Sequence, residues 1–132
     1  MITPYELRNL RCLKLIATNL THGLRCKHAA MLTVGGKIIS IGVNKAKSDP
    51  LQKRYTRHAA LSWTHAEVDC LKGIEIDLKR ATLYVIRTDD NGNLMESCPC
   101  SGCRSLINEL KIPRIVHSTT DGQIIELLTK EK

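Results

Sequence analysis

Phenylalanine is absent from this 132-residue chain, and its only rings of the phenyl or indole type are Tyr5, Tyr55, Trp63 and Tyr84. Proteins that hold single strands without sequence preference pair a basic groove with several stacking rings, so this scarcity argues against such a role. Long apolar runs are missing too. No stretch reaches the roughly 20 residues that a membrane-spanning helix needs, and the chain carries no repeat or low-complexity tract. The opening Met1-Ile2-Thr3-Pro4-Tyr5-Glu6 has no basic segment leading into an apolar one and no small-residue cleavage site, which predicts a cytoplasmic protein with no membrane association. Acidic residues are in short supply, 13 against 20 lysines and arginines, for a formal charge of +7. That surplus attracts an anionic partner, a nucleotide phosphate or a polynucleotide, without specifying a fold.

The length suits one domain over residues 1–132, large enough for a real core. Hydrophobic content of 42% and charged content of 25% place it among ordinary globular proteins. Six cysteines could staple a secreted chain, but without an export signal, metal binding and burial are the better uses.

Thr3-Pro4-Tyr5-Glu6 combines an N-cap threonine, a proline at the first helical position and a glutamate three after the cap. It predicts a helix whose stripe is Leu7, Leu10, Leu13, Ile16, Ala17 and Leu20, ending near Thr21-His22-Gly23. Residues 29–34 and 37–43 suit strands, joined by Gly35-Gly36 as a tight hairpin. A basic stretch from Lys45 to His58 follows, long for a connection inside a compact domain. A second helix is expected from an N-cap at Thr64 to an interruption at Gly73, then a strand over 81–88 and a turn at Asp89-Asp90-Asn91-Gly92-Asn93. A third helix should start at Pro99 or Cys100 and carry Leu106, Ile107 and Leu110, before strands at 115–118 and 123–128. Strands interleaved with helices predict an α/β fold, a three-layer α/β/α sandwich around a mixed five-stranded sheet.

Two clusters carry the chemistry: His65-Ala66-Glu67, and Pro99-Cys100-Ser101-Gly102-Cys103. His65, Cys100 and Cys103 supply three zinc ligands and leave a fourth position for water, as a catalytic site requires. Cysteines three apart at a helix start reach one ion, and the positive helix end favours their thiolates. Taken singly, H-x-E is common on surface helices, and C-x-x-C is most often half of a structural zinc site or a redox pair. The two in this order, with a proline before the first cysteine and a strand between them, are far more specific.

On these residues, and over about His28 to Ser118, the chain resembles the zinc-dependent cytidine and deoxycytidylate deaminase superfamily. The resemblance implies a cytidine-deaminase-like fold, one Zn2+ on His65, Cys100 and Cys103, and Glu67 as a proton shuttle rather than a ligand. It further implies a sugar contact from Asn44, which follows the second strand, and orientation of the amine by the backbone at Ala66. The reaction implied is hydrolytic deamination of a cytosine nucleoside or nucleotide with release of ammonia. A dCMP-like substrate is favoured because Lys45, Lys47, Lys53, Arg54 and Arg57 oppose only Asp49 in the basic stretch. A solvated loop is the plainer role for any one of those side chains. Pockets shared across subunits in small deaminases of this type predict a homo-oligomer.

Two other functions fit the motif. One is deamination in a polymer, of cytosine in single-stranded DNA or adenosine in tRNA, which the positive charge supports. The missing aromatics oppose it, as does the four-residue turn Thr119 to Gly122, since tRNA-adenosine deaminases insert a helix there and the short turn suggests an antiparallel pair. The other is a non-catalytic zinc module that holds nucleic acid, in which Glu67 would have no use. Among the remaining candidates, Trp63 suits the core better than a base pocket. Cys12, Cys26 and Cys70 suit interior packing. Cys98 reads as a packing residue or one supporting the zinc ligands. His22, His28, His58 and His117 have no partners at ligand spacing, and no second metal motif is evident.

Overall fold

The computed structural model describes residues 2–20, 27–45 and 64–129. The first element, α1 (Pro4–Leu20), begins as its capping signal predicts. The Glu6 amide donates to Thr3 Oγ1 at 3.1 Å, and the Thr3 amide donates back to Glu6 Oε1 at 2.9 Å. Leu10, Leu13 and Ala17 from the expected stripe are buried, whereas Leu7 is 43% exposed and Ile16 lies at the margin of the core. Cys12, expected inside, is exposed on the outer face of this helix. Three- and four-residue spacing draws a stripe wider than the sheet can cover, and its edges stay wet. The expected helix end at residues 21–23, like Cys26, lies outside the described residues.

Next come β1 (Lys27–Val34) and β2 (Lys37–Val43), joined by Gly35 and Gly36 at φ of 60° and 87°. Positive φ at both central residues is what a tight hairpin demands, and glycine reaches it without a Cβ clash. β1 begins two residues before the predicted start. A register shift between Leu32 and Thr33 leaves Ile39 as the extra residue of a bulge in β2. The basic stretch beyond Lys45, with Trp63, His22 and His58, also lies outside the described residues.

The second helix, α2 (Ala66–Leu71), starts one residue later than expected, with His65 rather than Thr64 at its N-cap position. Thr64 is held by paired backbone hydrogen bonds to Lys45, 2.9 Å in each direction, so its dihedrals serve the bridge rather than a cap. Gly73 at φ 75° ends the turn after the helix. β3 (Ala81–Thr88) matches its prediction, and β4 (Leu94–Met95) is a two-residue strand that the sequence reading did not anticipate. α3 (Ser101–Glu109) has Cys100 at its N-cap, which puts Pro99 just outside the first turn. β5 (Arg114–Ser118) and β6 (Ile124–Leu128) complete the chain.

The sheet is mixed, open and six-stranded, in the order β2-β1-β3-β5-β6 with β4 pairing β3; the expected five strands thus gain one short member. Only β3 and β5 run parallel, and α3 bridges them. Side chains alternate across each strand, so the sheet has two apolar faces. Ala30, Leu32, Leu83, Val85 and Ile115 pack under α2 and α3, while Ala29, Met31, Tyr84, Ile86 and Val116 pack under α1. Three layers result.

Two contacts hold the outer layers in place. On the α1 side, Glu6 accepts hydrogen bonds from Tyr84 and Arg114, and Arg114 also pairs with Glu126. Burial alone would raise the Glu6 pKa, but Arg114, Tyr84 and the Thr3 amide outweigh it and bring it down to about 2. On the other side, Gly42 of β2 touches α2 so closely that a Cβ there would lie 2.4 Å from the Cys70 nitrogen and 2.7 Å from the Ala66 oxygen. Asp69 of α2 adds a clamp, accepting the Val43 amide at 3.0 Å and ion-pairing with Lys45 and Lys72.

Gly42→Ala should therefore push α2 off the sheet, costing about 2 kcal/mol or more in urea melts, with a fall in zinc content; unchanged stability would mean that α2 moves without cost. Because the folded pKa of Glu6 is depressed, its contribution is present above the unfolded value of 4.5 and disappears as pH falls towards about 2. Unfolding midpoints measured across that range should decline less steeply in Glu6→Gln than in the parent protein.

Candidate metal centre

α2 and α3 begin on the same face of the sheet, at the end where β3 and β5 terminate, and the residue before each helix is a ligand candidate. His65 precedes α2, and its carbonyl accepts the Asp69 amide at 3.0 Å; Cys100 precedes α3, and its carbonyl accepts the Arg104 amide at 2.8 Å. Cys103 lies three residues on, buried beneath. Three positions from two distant parts of the chain thus meet. The His65 Nδ1 stands 3.2 Å from Cys103 Sγ and 3.6 Å from Cys100 Sγ. A tetrahedral zinc with bonds near 2.0 Å to nitrogen and 2.3 Å to sulfur spaces such ligand atoms about 3.5 Å apart. The donor set fits the ion, and its burial is graded, with Cys103 buried, His65 half-buried and Cys100 exposed, so the cluster opens to solvent on one side.

Of the three ligand candidates Cys100 alone is primed to ionise, while Cys103 and His65 hold their protons more firmly than usual. The Cys103 thiol and the His65 ring, acting against burial, pull the Cys100 pKa down to about 3. The Cys103 thiol is pushed up by its hydrogen bond to Cys100 and by burial, and the His65 ring is raised by its hydrogen bond with Cys100. A metal ion bound here would displace the protons that Cys103 and His65 retain, since it takes thiolate and neutral imidazole.

Glu67, the second residue of α2, is 5% exposed, and burial raises its carboxyl pKa. Ala66 is wholly buried, with its carbonyl turned towards Gly42. Asn44 is buried beside the same end of the sheet, where its Oδ1 accepts the His28 amide at 2.9 Å and extends the β1–β2 ladder by one side-chain hydrogen bond. The Lys45–Thr64 bridge ties this corner directly to His65.

Several residues near the centre carried no signal in the sequence. His28 lies where the charges of Arg87, His65 and Cys100 reach it; burial, then Arg87 and His65, lower its pKa to about 4, which keeps it neutral at pH 7. Ser97 and Ser118 pin the segment that carries Cys100. The Ser97 hydroxyl reaches the Val85 carbonyl at 2.6 Å and Ser118 Oγ at 2.9 Å, and the Ser118 amide donates to it at 2.8 Å. Ordinary residue types at unremarkable spacing, they could be found only by pairing strands.

A layered α/β domain with a His/Cys/Cys zinc cluster at two helix starts is the architecture of a zinc-dependent deaminase. The family model described as the cytidine and deoxycytidylate deaminase zinc-binding region matches residues 8–119, and the chain belongs to that family. No curated protein matches it significantly. No described helix is long and apolar enough to cross a membrane.

Cys103→Ser should lower zinc content measured by elemental analysis of the purified protein, since the buried sulfur faces the ring nitrogen at 3.2 Å. Full zinc retention would mean that the ligand set is different.

Proposed function

We propose that this chain, acting as a single domain, deaminates a free cytosine nucleoside or nucleotide, with dCMP-like substrates favoured. The observation that carries the reading is the His65 nitrogen between two cysteine sulfurs at tetrahedral spacing, with the Glu67 carboxyl buried two residues further along α2. When bound there, zinc lowers the pKa of water from 15.7 towards about 7. Glu67 takes one proton from the water and delivers it to the ring nitrogen as the oxygen bonds to the carbon that bears the amine; it then moves the proton left on that oxygen to the amine, whose C–N bond breaks to release ammonia and leave the carbonyl. Its burial keeps that proton from exchanging with bulk solvent. Asn44 is the sugar contact of this reading, with its carboxamide held by the His28 amide, and the Ala66 backbone orients the amine. A cytoplasmic homo-oligomer remains part of the proposal.

The far edge of the sheet speaks against the tRNA-adenosine alternative, though an antiparallel pair is shared by free-nucleoside deaminases and some toxin-type DNA deaminases. β5 and β6 form an antiparallel pair joined by a short turn, in which the Gly122 amide donates to the Thr119 carbonyl at 3.0 Å. A helix inserted between these strands, which suits tRNA-adenosine deaminases, is not present. The phosphate preference rests on the basic residues between Lys45 and Arg57.

A competition experiment tests both parts. Zinc-loaded protein is given deoxycytidine, dCMP, dCTP, single-stranded DNA and tRNA together, and the products are identified by mass. Conversion confined to monomers, with dCMP preferred, is expected; conversion confined to a polymer would make the basic stretch a strand-binding edge. Glu67→Ala should keep its zinc and lose at least about 100-fold in rate, in line with removal of a general acid-base group. Undiminished turnover would remove Glu67 from the mechanism.

A further inference from the structure

Besides the His65 cluster, the described residues hold one more group whose ligand atoms all lie within 4.8 Å of one another, made by Glu96, Cys98 and His117. We propose that these three bind a second divalent ion of the borderline class that includes zinc and cobalt.

The backbone brings them together for a definite reason. Residues 96–98 form an irregular segment anchored at its middle, where the Ser97 hydroxyl is buried against Val85 and Ser118 and the Ser97 amide donates to the Ser118 carbonyl at 3.0 Å. Neighbours in extended chain project to opposite sides. With the serines meeting on one side, Glu96 and Cys98 turn to the other, and His117 of β5 turns towards them. The His117 Nδ1 is 3.5 Å from Glu96 Oε2 and 3.0 Å from the Ser118 carbonyl oxygen, and Glu96 Oε2 also accepts the Cys98 amide at 3.2 Å.

Rigidity is divided usefully among the three. His117 is 5% exposed and fixed in β5, whereas Glu96 and Cys98 are exposed and can close the last ångström around an ion. Thiolate, imidazole and carboxylate together select zinc or cobalt over magnesium or calcium, which prefer all-oxygen sites. On binding, Cys98 releases its thiol proton to solvent, His117 Nδ1 exchanges its proton and its hydrogen bond to the Ser118 carbonyl for the ion while Nε2 carries the ring proton, and water completes the coordination. The second ion would tie the segment carrying Cys100 to β5, so that one ion steadies a ligand of the other. Cys98, which the first site leaves unused, is thereby given a role.

The test is metal stoichiometry, which does not depend on deaminase activity. Zinc-loaded full-length protein is titrated with Co2+, following thiolate-to-cobalt absorption in the near ultraviolet, and bound metal per chain is counted by elemental analysis after excess is removed. Two equivalents per chain are expected. Cys98→Ser and Glu96→Gln, both at exposed positions where folding is not at stake, should each keep the first equivalent and weaken the second by about 10- to 100-fold, the range for disturbed metal sites. Cys103→Ser should do the reverse, losing the first equivalent and keeping the second. A parent protein that saturates at one equivalent, or a second equivalent that persists unweakened in Cys98→Ser, would overturn the proposal and leave Glu96 and His117 as neighbours 3.5 Å apart beside the Cys98 thiol.

Discussion

The contact on which the site depends is the approach of α2 to the sheet at Gly42. A six-residue helix makes too few hydrogen bonds to hold itself in water, so its position must come from packing. Gly42 allows that packing because the backbone of α2 occupies the space where any other residue would place a Cβ. Asp69 locks the arrangement by accepting the Val43 amide, and the same carboxylate holds Lys45 and Lys72. Burial alone would raise its pKa, but Lys45, the Val43 amide and Lys72 outweigh that and keep it charged. Move α2 by an ångström and the His65 nitrogen leaves the two sulfurs, with Glu67 displaced as well.

The second ligand-bearing element is held differently. α3 follows an irregular segment, and that segment is anchored by two serines rather than by close helix packing. Hydroxyl groups at 97 and 118 satisfy the carbonyls of Val85 and Met95 that the two-residue strand β4 leaves over. Polar anchoring suits this position because an apolar anchor could not have supplied those carbonyls with donors. The centre therefore sits between a helix placed by sterics and a helix placed by hydrogen bonds, with the sheet as their common frame.

Much of this was legible in the residues. The capping box at Thr3 and Glu6, the diglycine hairpin, the apolar run of β3 and the spacing of the two metal motifs rest on local rules, and local rules survive folding. The misses share one cause, which is long-range pairing. Thr64 looked like an N-cap until its backbone was seen paired with Lys45. Leu7 suits the interior because helical spacing says which side faces the sheet, but not how far the sheet extends; Cys12 suits it by residue type alone, and it lies off the apolar stripe. His117 and Cys98 had no partner in sequence, since their proximity depends on β5 lying beside the 96–98 segment. Glu6 serves as more than the cap its spacing implies, since Arg114, 108 residues away, also depends on it.

By itself, the sequence determined the order of the helices and of the five longer strands, and it singled out three side chains able to hold a metal and the acid two residues beyond the histidine, because each follows from spacing along a helix or a turn. Tertiary structure decided how these meet. Sulfur and nitrogen come within 3.2–3.6 Å only after two helix starts are brought to the same end of a sheet. It also decided that Glu96, Cys98 and His117 share a corner, whereas the antiparallel pairing of β5 and β6 was already implied by the short turn between them. Distances of a few ångströms between residues tens of positions apart are set by packing and strand register, and no local pattern encodes them.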